Sequence, residues 1–368
     1  MTQRRLDILT TGGTIASRTK GPMATGDEVA NELHRFFPDV EIGVREVCRL
    51  GSSQITTNVL WEIGAEVKKS FLDGVDGVII THGTDTLEET AYFLDLIGGS
   101  NKQARDVSAS PEVESLTASP EEPVTEDSPE SDEESTYGTP IRVEEVISSA
   151  AARVAFGPTV VTGAMRGFDA VGYDGLANLV ESCQVALEPA SAEYGVLVVM
   201  NDRIHLAREV TKVHSWLLDA FASPGLGPVG LVGQEGVTYT VKPPARSHVE
   251  YTALVPPVDL IKTGLASGDR LVRALVEAGT RGLVVESLGH GHLPPGMVEA
   301  LEDAVKDNIP VVITTRCLSG GAPNPGTVDD SGFVTTDLSG PKARIKLMLA
   351  LSVTNDPAEI AKMFGQCP

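Results

Sequence analysis

The sequence predicts an α/β fold in two domains, the larger one N-terminal and built on a mainly parallel sheet. Three observations carry this. The chain has 368 residues, enough for two units each with its own core. Short, largely apolar runs recur at 6–10, 77–80, 159–162, 196–200, 282–285 and 311–314, and they read as buried parallel strands. Helical patterns separate many of them, and strands alternating with helices build parallel sheets.

The first run leads into Thr10-Thr11-Gly12-Gly13-Thr14. The second ends at Thr81-His82-Gly83-Thr84-Asp85. Thr86-Leu-Glu-Glu89 then has the spacing of a capping box and opens a helix through Leu96. Further helices are predicted at 174–187, 269–278, 296–306 and 341–351. The Gly/Pro-rich stretch 225–257 lacks long helical periodicity and marks the domain break. The N-terminal domain is placed at 1–227, a linker at 228–257 and the C-terminal domain at 258–368.

Residues 98–149 break the pattern. From 106 to 134 the chain is dense in Asp and Glu, has no basic residue, is punctuated by prolines and carries almost no large apolar side chain. Such a segment buries too little apolar surface to offset its ordering entropy, so it is predicted to be a disordered insertion.

Composition excludes several classes of function. With 41% hydrophobic and 22% charged residues the chain is ordinary for a soluble globular protein. No run approaches the roughly 20 apolar residues of a membrane span. The opening MTQRRLDILTTGG lacks the apolar core of a secretion signal, so a cytoplasmic address is expected. A net charge of −22 opposes nucleic-acid binding. Cys48, Cys183, Cys317 and Cys367 show no metal-ligand or CxxC spacing and read as isolated thiols. His290-Gly-His292 offers two histidines without a third ligand, which is weak evidence for a metal.

In an open α/β sheet, ligands bind beyond the carboxyl ends of the strands. The stretches 10–16 and 81–86 fall there, and glycines in the first let the backbone turn sharply beside a ligand. Neither stretch contains GxGxxG or the P-loop pattern of phosphate cradles.

Together they carry a resemblance. TGGTIAS and ITHGTDTLEETAYFLDL are similar to the two active-site signatures of the bacterial-type L-asparaginase (asparaginase/glutaminase) family. GSSQ at 51–54, VVTGAMR at 160–166, DGLANL at 174–179, GVLVVMND at 195–202, REVTK at 208–212 and GPKARIKLMLAL near the C-terminus follow in the family's order. The resemblance implies hydrolysis of L-asparagine to L-aspartate and ammonia through a threonine nucleophile and an acyl-enzyme, with no metal or organic cofactor. It also implies a flavodoxin-like C-terminal domain and a homo-oligomer, a dimer of dimers with sites at the dimer interface. Thr14 is then the nucleophile, and Thr84 the second catalytic threonine beside Asp85 and Lys212. Ser53 and Gln54 hold the substrate's α-carboxylate, Asp85 its α-ammonium, and the Ala164 backbone its amide end.

Those residue types suit that chemistry. An amide is a weak electrophile and a neutral hydroxyl a weak nucleophile, so a base must take the proton during attack. A lysine serves as that base only once desolvation has lowered its pKa, and a neighbouring carboxylate works the other way. Backbone N–H groups near the second threonine would supply oxyanion donors.

Taken alone, Thr14 is a turn residue, Asp85 a helix cap, Lys212 a solvated lysine and His82 a structural hydrogen-bonder; the matched motifs reverse the first three readings. Three positions depart from the family: Met23 stands where many members have a loop tyrosine, with Thr25 the nearest hydroxyl; Thr327 stands where some have a glutamate; and Gly167-Phe168 follows TGAMR where proline is common. The rival readings are a glutaminase-asparaginase, the asparaginase-like subunit of a tRNA amidotransferase, and a non-catalytic amino-acid sensor. The second usually has an extra domain before TGGTIA, which here starts at Thr11.

Overall fold

The computed structural model describes residues 3–99, 155–243, 249–322 and 331–365. Thr327, Cys367 and nearly all of the expected disordered insertion lie outside the described residues.

The chain begins β1 (Arg4–Gly12), α1 (Gly26–Ala30), β2 (Val40–Leu50), α2 (Thr57–Leu72), β3 (Gly77–Thr81) and α3 (Leu87–Ile97). It resumes with β4 (Thr159–Thr162), α4 (Gly175–Leu187), β5 (Val196–Met200), β6 (Arg203–Leu206), the short β7 (Thr211–Lys212) and β8 (Phe221–Ala222), β9 (Gly230–Gly233) and β10 (Gly236–Tyr239). The C-terminal part is β11 (Val258–Lys262), α5 (Arg270–Glu277), β12 (Gly282–Ser287), α6 (Pro295–Lys306), β13 (Val311–Thr315), β14 (Val334–Thr335), α7 (Gly340–Ala350) and α8 (Pro357–Phe364).

The large sheet runs β10-β9-β6-β5-β4-β3-β1-β2. It is parallel from β2 to β5 and antiparallel from β5 to β10. The order 2-1-3-4-5 within it creates a switch point between β1 and β3, where connections depart in opposite directions and leave a crevice. The small sheet is parallel throughout, β11-β12-β13-β14.

Strands β3, β4 and β5 are buried at every position, which is why each reads as an unbroken apolar run. β2 is an edge strand, as β10 is at the other end; it is only partly covered and carries Glu41, Arg45, Glu46 and Arg49, so no apolar run announces it. The stretch expected to be a linker from 228 contains β9 and β10, which extend the large sheet as an antiparallel hairpin to Tyr239. The expected capping box at Thr86 is not formed. Thr86 is the N-cap of α3 but makes no side-chain cap bond, because its hydroxyl donates instead to Ser52 O, 2.9 Å away. A capping box does close α1, between Thr25 and Glu28.

One continuous core joins the two domains: Trp61, Phe93 and Leu94 from α2 and α3 share a cluster with Val284, Leu338, Ile345 and Leu349. Trp61 and Phe93 meet edge to face at 5.1 Å. Truncating the fully buried Phe93 would cost about 3–5 kcal/mol. At the edge of this core, Phe156 N–H donates to Gly98 O at 2.8 Å, and the Phe156 ring stacks on Phe71. The described chain after α3 and the described chain before β4 therefore meet at this contact.

Candidate active site

Three motifs emerge from the carboxyl ends of adjacent strands: 13–16 after β1, 82–86 after β3 and 163–166 after β4. The first two flank the switch point. Their backbones touch. A Cβ added to Gly13 would lie 2.3 Å from Gly83 Cα, and Gly13 itself has φ +79°. A Cβ on Gly163 would sit 2.6 Å from His82 O and 3.3 Å from Thr84 Cγ2. Thr14 is half-buried and opens a short 3-10 turn immediately after Gly13, the residue that meets the second motif. Ala164, fully buried, follows Gly163.

Thr84, Asp85 and Lys212 are brought into direct contact. Lys212 Nζ donates to Thr84 Oγ1 at 2.8 Å and to Asp85 Oδ1 at 2.7 Å. The Lys212 side chain is 16% exposed and that of Asp85 72%, so the carboxylate opens to solvent while the ammonium is covered. Thr84 is buried, and with its oxygen accepting from Lys212 its own O–H remains available as a donor.

The GSSQ turn lies on the other side. Ser52 Oγ accepts the Asp85 N–H at 3.3 Å, which, with the Thr86 bond, ties this turn to the second motif. Ser52 was legible in GSSQ, but nothing in the sequence separated its anchoring part from its neighbours. Ser53 and Gln54 are exposed. Gln54 Oε1 accepts from Gly51 N at 3.0 Å, leaving its NH2 as a donor. A cavity of about 330 Å³ opens behind this turn, lined by Ser53, Gln54, Thr57, Glu89 and Arg344 among others; Thr14, Thr84, Asp85 and Lys212 do not line it.

His82 is wholly buried, and its ring bonds to Gly83 and Thr90. Its Nδ1 lies 2.8 Å from Gly83 O and its Nε2 3.0 Å from Thr90 Oγ1. A carbonyl only accepts, so Nδ1 carries the proton and Nε2 accepts from Thr90. Burial pushes its pKa down to about 4, keeping it neutral.

The loop after Thr14 is fastened to 166–173. Phe168 N–H donates to Ser17 O, Tyr173 Oη to Ile15 O and Thr19 N–H to Asp169, while Arg18 stacks over Phe168. A Cβ at Gly167 would lie 3.0 Å from Ser17 O, so a residue larger than glycine would crowd this loop. Met23 packs against the neighbouring apolar cluster, and the Thr25 hydroxyl accepts from Glu28 N as a helix cap. His290 and His292 are both exposed, and among the described residues no group of three His, Cys, Asp or Glu is placed to hold a metal ion. No described helix is long and apolar enough to cross a membrane.

Residues 5–103 and 148–245 match the model of the asparaginase N-terminal domain, and residues 257–364 that of the glutaminase/asparaginase C-terminal domain. The gap in the first match falls on the acidic segment. The chain is 31% identical to L-asparaginase 2 of Escherichia coli over 98% of its own length and 92% of that protein. It is 28% identical to a glutaminase-asparaginase of Pseudomonas aeruginosa, over 98% and 89% respectively. The crystal structure of a probable cytoplasmic L-asparaginase from Campylobacter jejuni is similar with a TM-score of 0.76 at 28% identity, covering 99% of both chains.

Proposed function

We propose that this chain, which belongs to the glutaminase/asparaginase family, hydrolyses L-asparagine to L-aspartate and ammonia through an acyl-enzyme on Thr14. The observation that carries the reading is the paired contact of Lys212 Nζ with Thr84 Oγ1 and Asp85 Oδ1, set beside the Thr14 turn at the sheet's switch point.

In this reading Thr14 Oγ attacks the side-chain amide carbon. Its proton passes toward the leaving nitrogen, which departs as ammonia and leaves an ester on Thr14. Water then opens the ester and returns the proton to Thr14. Thr84 and Lys212 form the polar relay alongside; Lys212 stabilises negative charge on a threonine oxygen by donating to it. The open carboxylate of Asp85 suits an α-ammonium, and the Ser53 hydroxyl and Gln54 NH2 suit an α-carboxylate. The Ala164 backbone is assigned the amide end.

A homo-oligomer, arranged as a dimer of dimers, fits the exposed Val213, Trp216 and Leu217 that follow Lys212; Trp216 is 70% exposed. The free thiols Cys48, Cys183 and Cys317 fit a reducing, cytoplasmic compartment.

Purified protein incubated with L-asparagine, L-glutamine and the D-isomers tests the proposal by ammonia release. L-asparagine should turn over fastest, with glutamine disfavoured by about 1–3 kcal/mol for one extra methylene. Hydroxylamine should divert the intermediate to aspartyl hydroxamate. Neither ammonia nor hydroxamate would leave a sensor as the better reading.

A further inference from the structure

Lys212 sits on a strand of two residues that, among the described residues, pairs with β8 alone, so little of its position comes from a sheet. The turn leading to it uses the N–H groups of Glu209 and Val210 on Leu206 O. Among the described residues no turn or loop N–H donates to the carbonyls of Arg208 and Val210, and Val210 is fully buried. A buried carbonyl needs a donor.

Lys342 supplies it from α7 of the C-terminal part. Its side chain is 1% exposed, and Nζ donates to Arg208 O at 3.0 Å and to Val210 O. From the opposite side Glu88 of α3, itself 8% exposed, accepts the Lys212 backbone N–H at 2.7 Å. Asp337 and Glu209 further hold Arg208, each at 2.6 Å. Neither Lys342 nor Glu88 is needed by the chemistry proposed above, and a buried ammonium is costly to keep without a purpose.

We propose that Lys342 and Glu88 are positioning residues for Lys212, gripping residues 208–212 from two elements and so setting the reach of Nζ to Thr84 and Asp85. The inference rests on the hydrolase reading for its kinetic consequences and on geometry alone for the grip. Because both Nζ contacts are already at hydrogen-bond distance, a small drift of this backbone loosens them; a displacement near 1 Å can cost about 10²-fold in rate.

The test measures kcat and KM for Lys342→Met, Glu88→Leu and Glu88→Gln. Lys342→Met and Glu88→Leu should each lower kcat at least about tenfold with KM changed less than about threefold. Glu88→Gln keeps an acceptor oxygen and should recover most of the lost kcat. Unchanged kcat in Glu88→Leu, or equal loss in Glu88→Leu and Glu88→Gln, overturns the proposal even if Lys342→Met does not fold. A second readout needs no turnover: after reductive ¹³C-methylation, the Lys212 signal, identified by its absence in Lys212→Arg, should move in Glu88→Leu. An unmoved signal overturns the grip. A wild-type chain that releases no ammonia overturns the hydrolase reading and leaves this second test standing.

Discussion

Gly13 approaches Gly83 so closely that a methyl group on the first would lie 2.3 Å from the Cα and the N of the second. This contact welds the strand that delivers Thr14 to the strand that delivers Thr84. Gly13→Ala should therefore hurt twice, through the left-handed φ of +79° and through a backbone collision that no rotamer relieves. Thermal unfolding should show a loss of roughly 1–3 kcal/mol or more, with turnover falling further than stability. Wild-type activity in Gly13→Ala would mean that the two motifs do not act together.

Thr14→Ala, Thr84→Ala and Lys212→Met should each reduce amide hydrolysis by at least about 10³-fold, because groups acting as a unit fail as a unit. Thr14→Ala should also lose the hydroxamate product. Far-ultraviolet circular dichroism should be unchanged, since none of these side chains fills a core cavity. Hydroxamate formation by Thr14→Ala would move the nucleophile elsewhere.

The wholly buried strands β3, β4 and β5 announced themselves as apolar runs and α3 and α4 by period, so the middle of the large sheet was legible, whereas α2 was not predicted. Elements with one wet face were not. β2 carries charges along an edge, and β9 and β10 lie in Gly-rich sequence that resembles a linker. The Thr86–Glu89 spacing satisfied a local rule, but tertiary contact won: Thr86 bonds Ser52, 34 residues away in sequence. The proposed site residues could be read only through matched motifs. Lys212 was read from REVTK alone, and its partners Glu88 and Lys342 become visible only when α3, α7 and the turn after β6 are packed together.

Acid should destabilise the protein through its buried histidines. His82 and His205 are both held near pKa 4 by burial, against an ordinary 6.5. Unfolded histidine takes up a proton around pH 6.5 and the folded form does not until about pH 4. Their stabilising effect is therefore complete above 6.5 and lost as pH falls through that window, by up to about 3 kcal/mol each. Denaturant titrations of wild type and His205→Gln should converge as pH drops from 6.5 to 4. Parallel curves would show His205 titrating normally.

Lys342 gives a slope of the same sign in base. Burial lowers its pKa from 10.5 to about 8. Between those values the unfolded chain binds the proton and the folded chain does not, so raising pH through this window stabilises the fold. The stability of wild type relative to Lys342→Met should improve from pH 8 to 10.5 by something on the order of 3 kcal/mol. A difference independent of pH would show that the ammonium is not desolvated.

Replacing residues 101–145 with a short Gly/Ser linker should leave turnover and oligomeric state unchanged. The flanking chain is already closed by the Phe156–Gly98 hydrogen bond, and doubling a flexible loop changes its closure entropy by only about 0.6 kcal/mol. Lost activity or a smaller assembly on gel filtration would show that the segment bears on the site or on a subunit contact.

The same junction has an engineering consequence. Gly98 and Phe156 form a socket: two adjacent backbone positions, anchored by a stacked Phe71–Phe156 pair and backed by the core. A foreign domain whose own termini lie close together should seat there without pulling α3 from β4, and a fluorescent reporter so grafted should leave the melting temperature of the host within a few degrees. Such a graft would make the protein traceable at a site that neither terminus offers, one helix away from Thr84 and Asp85.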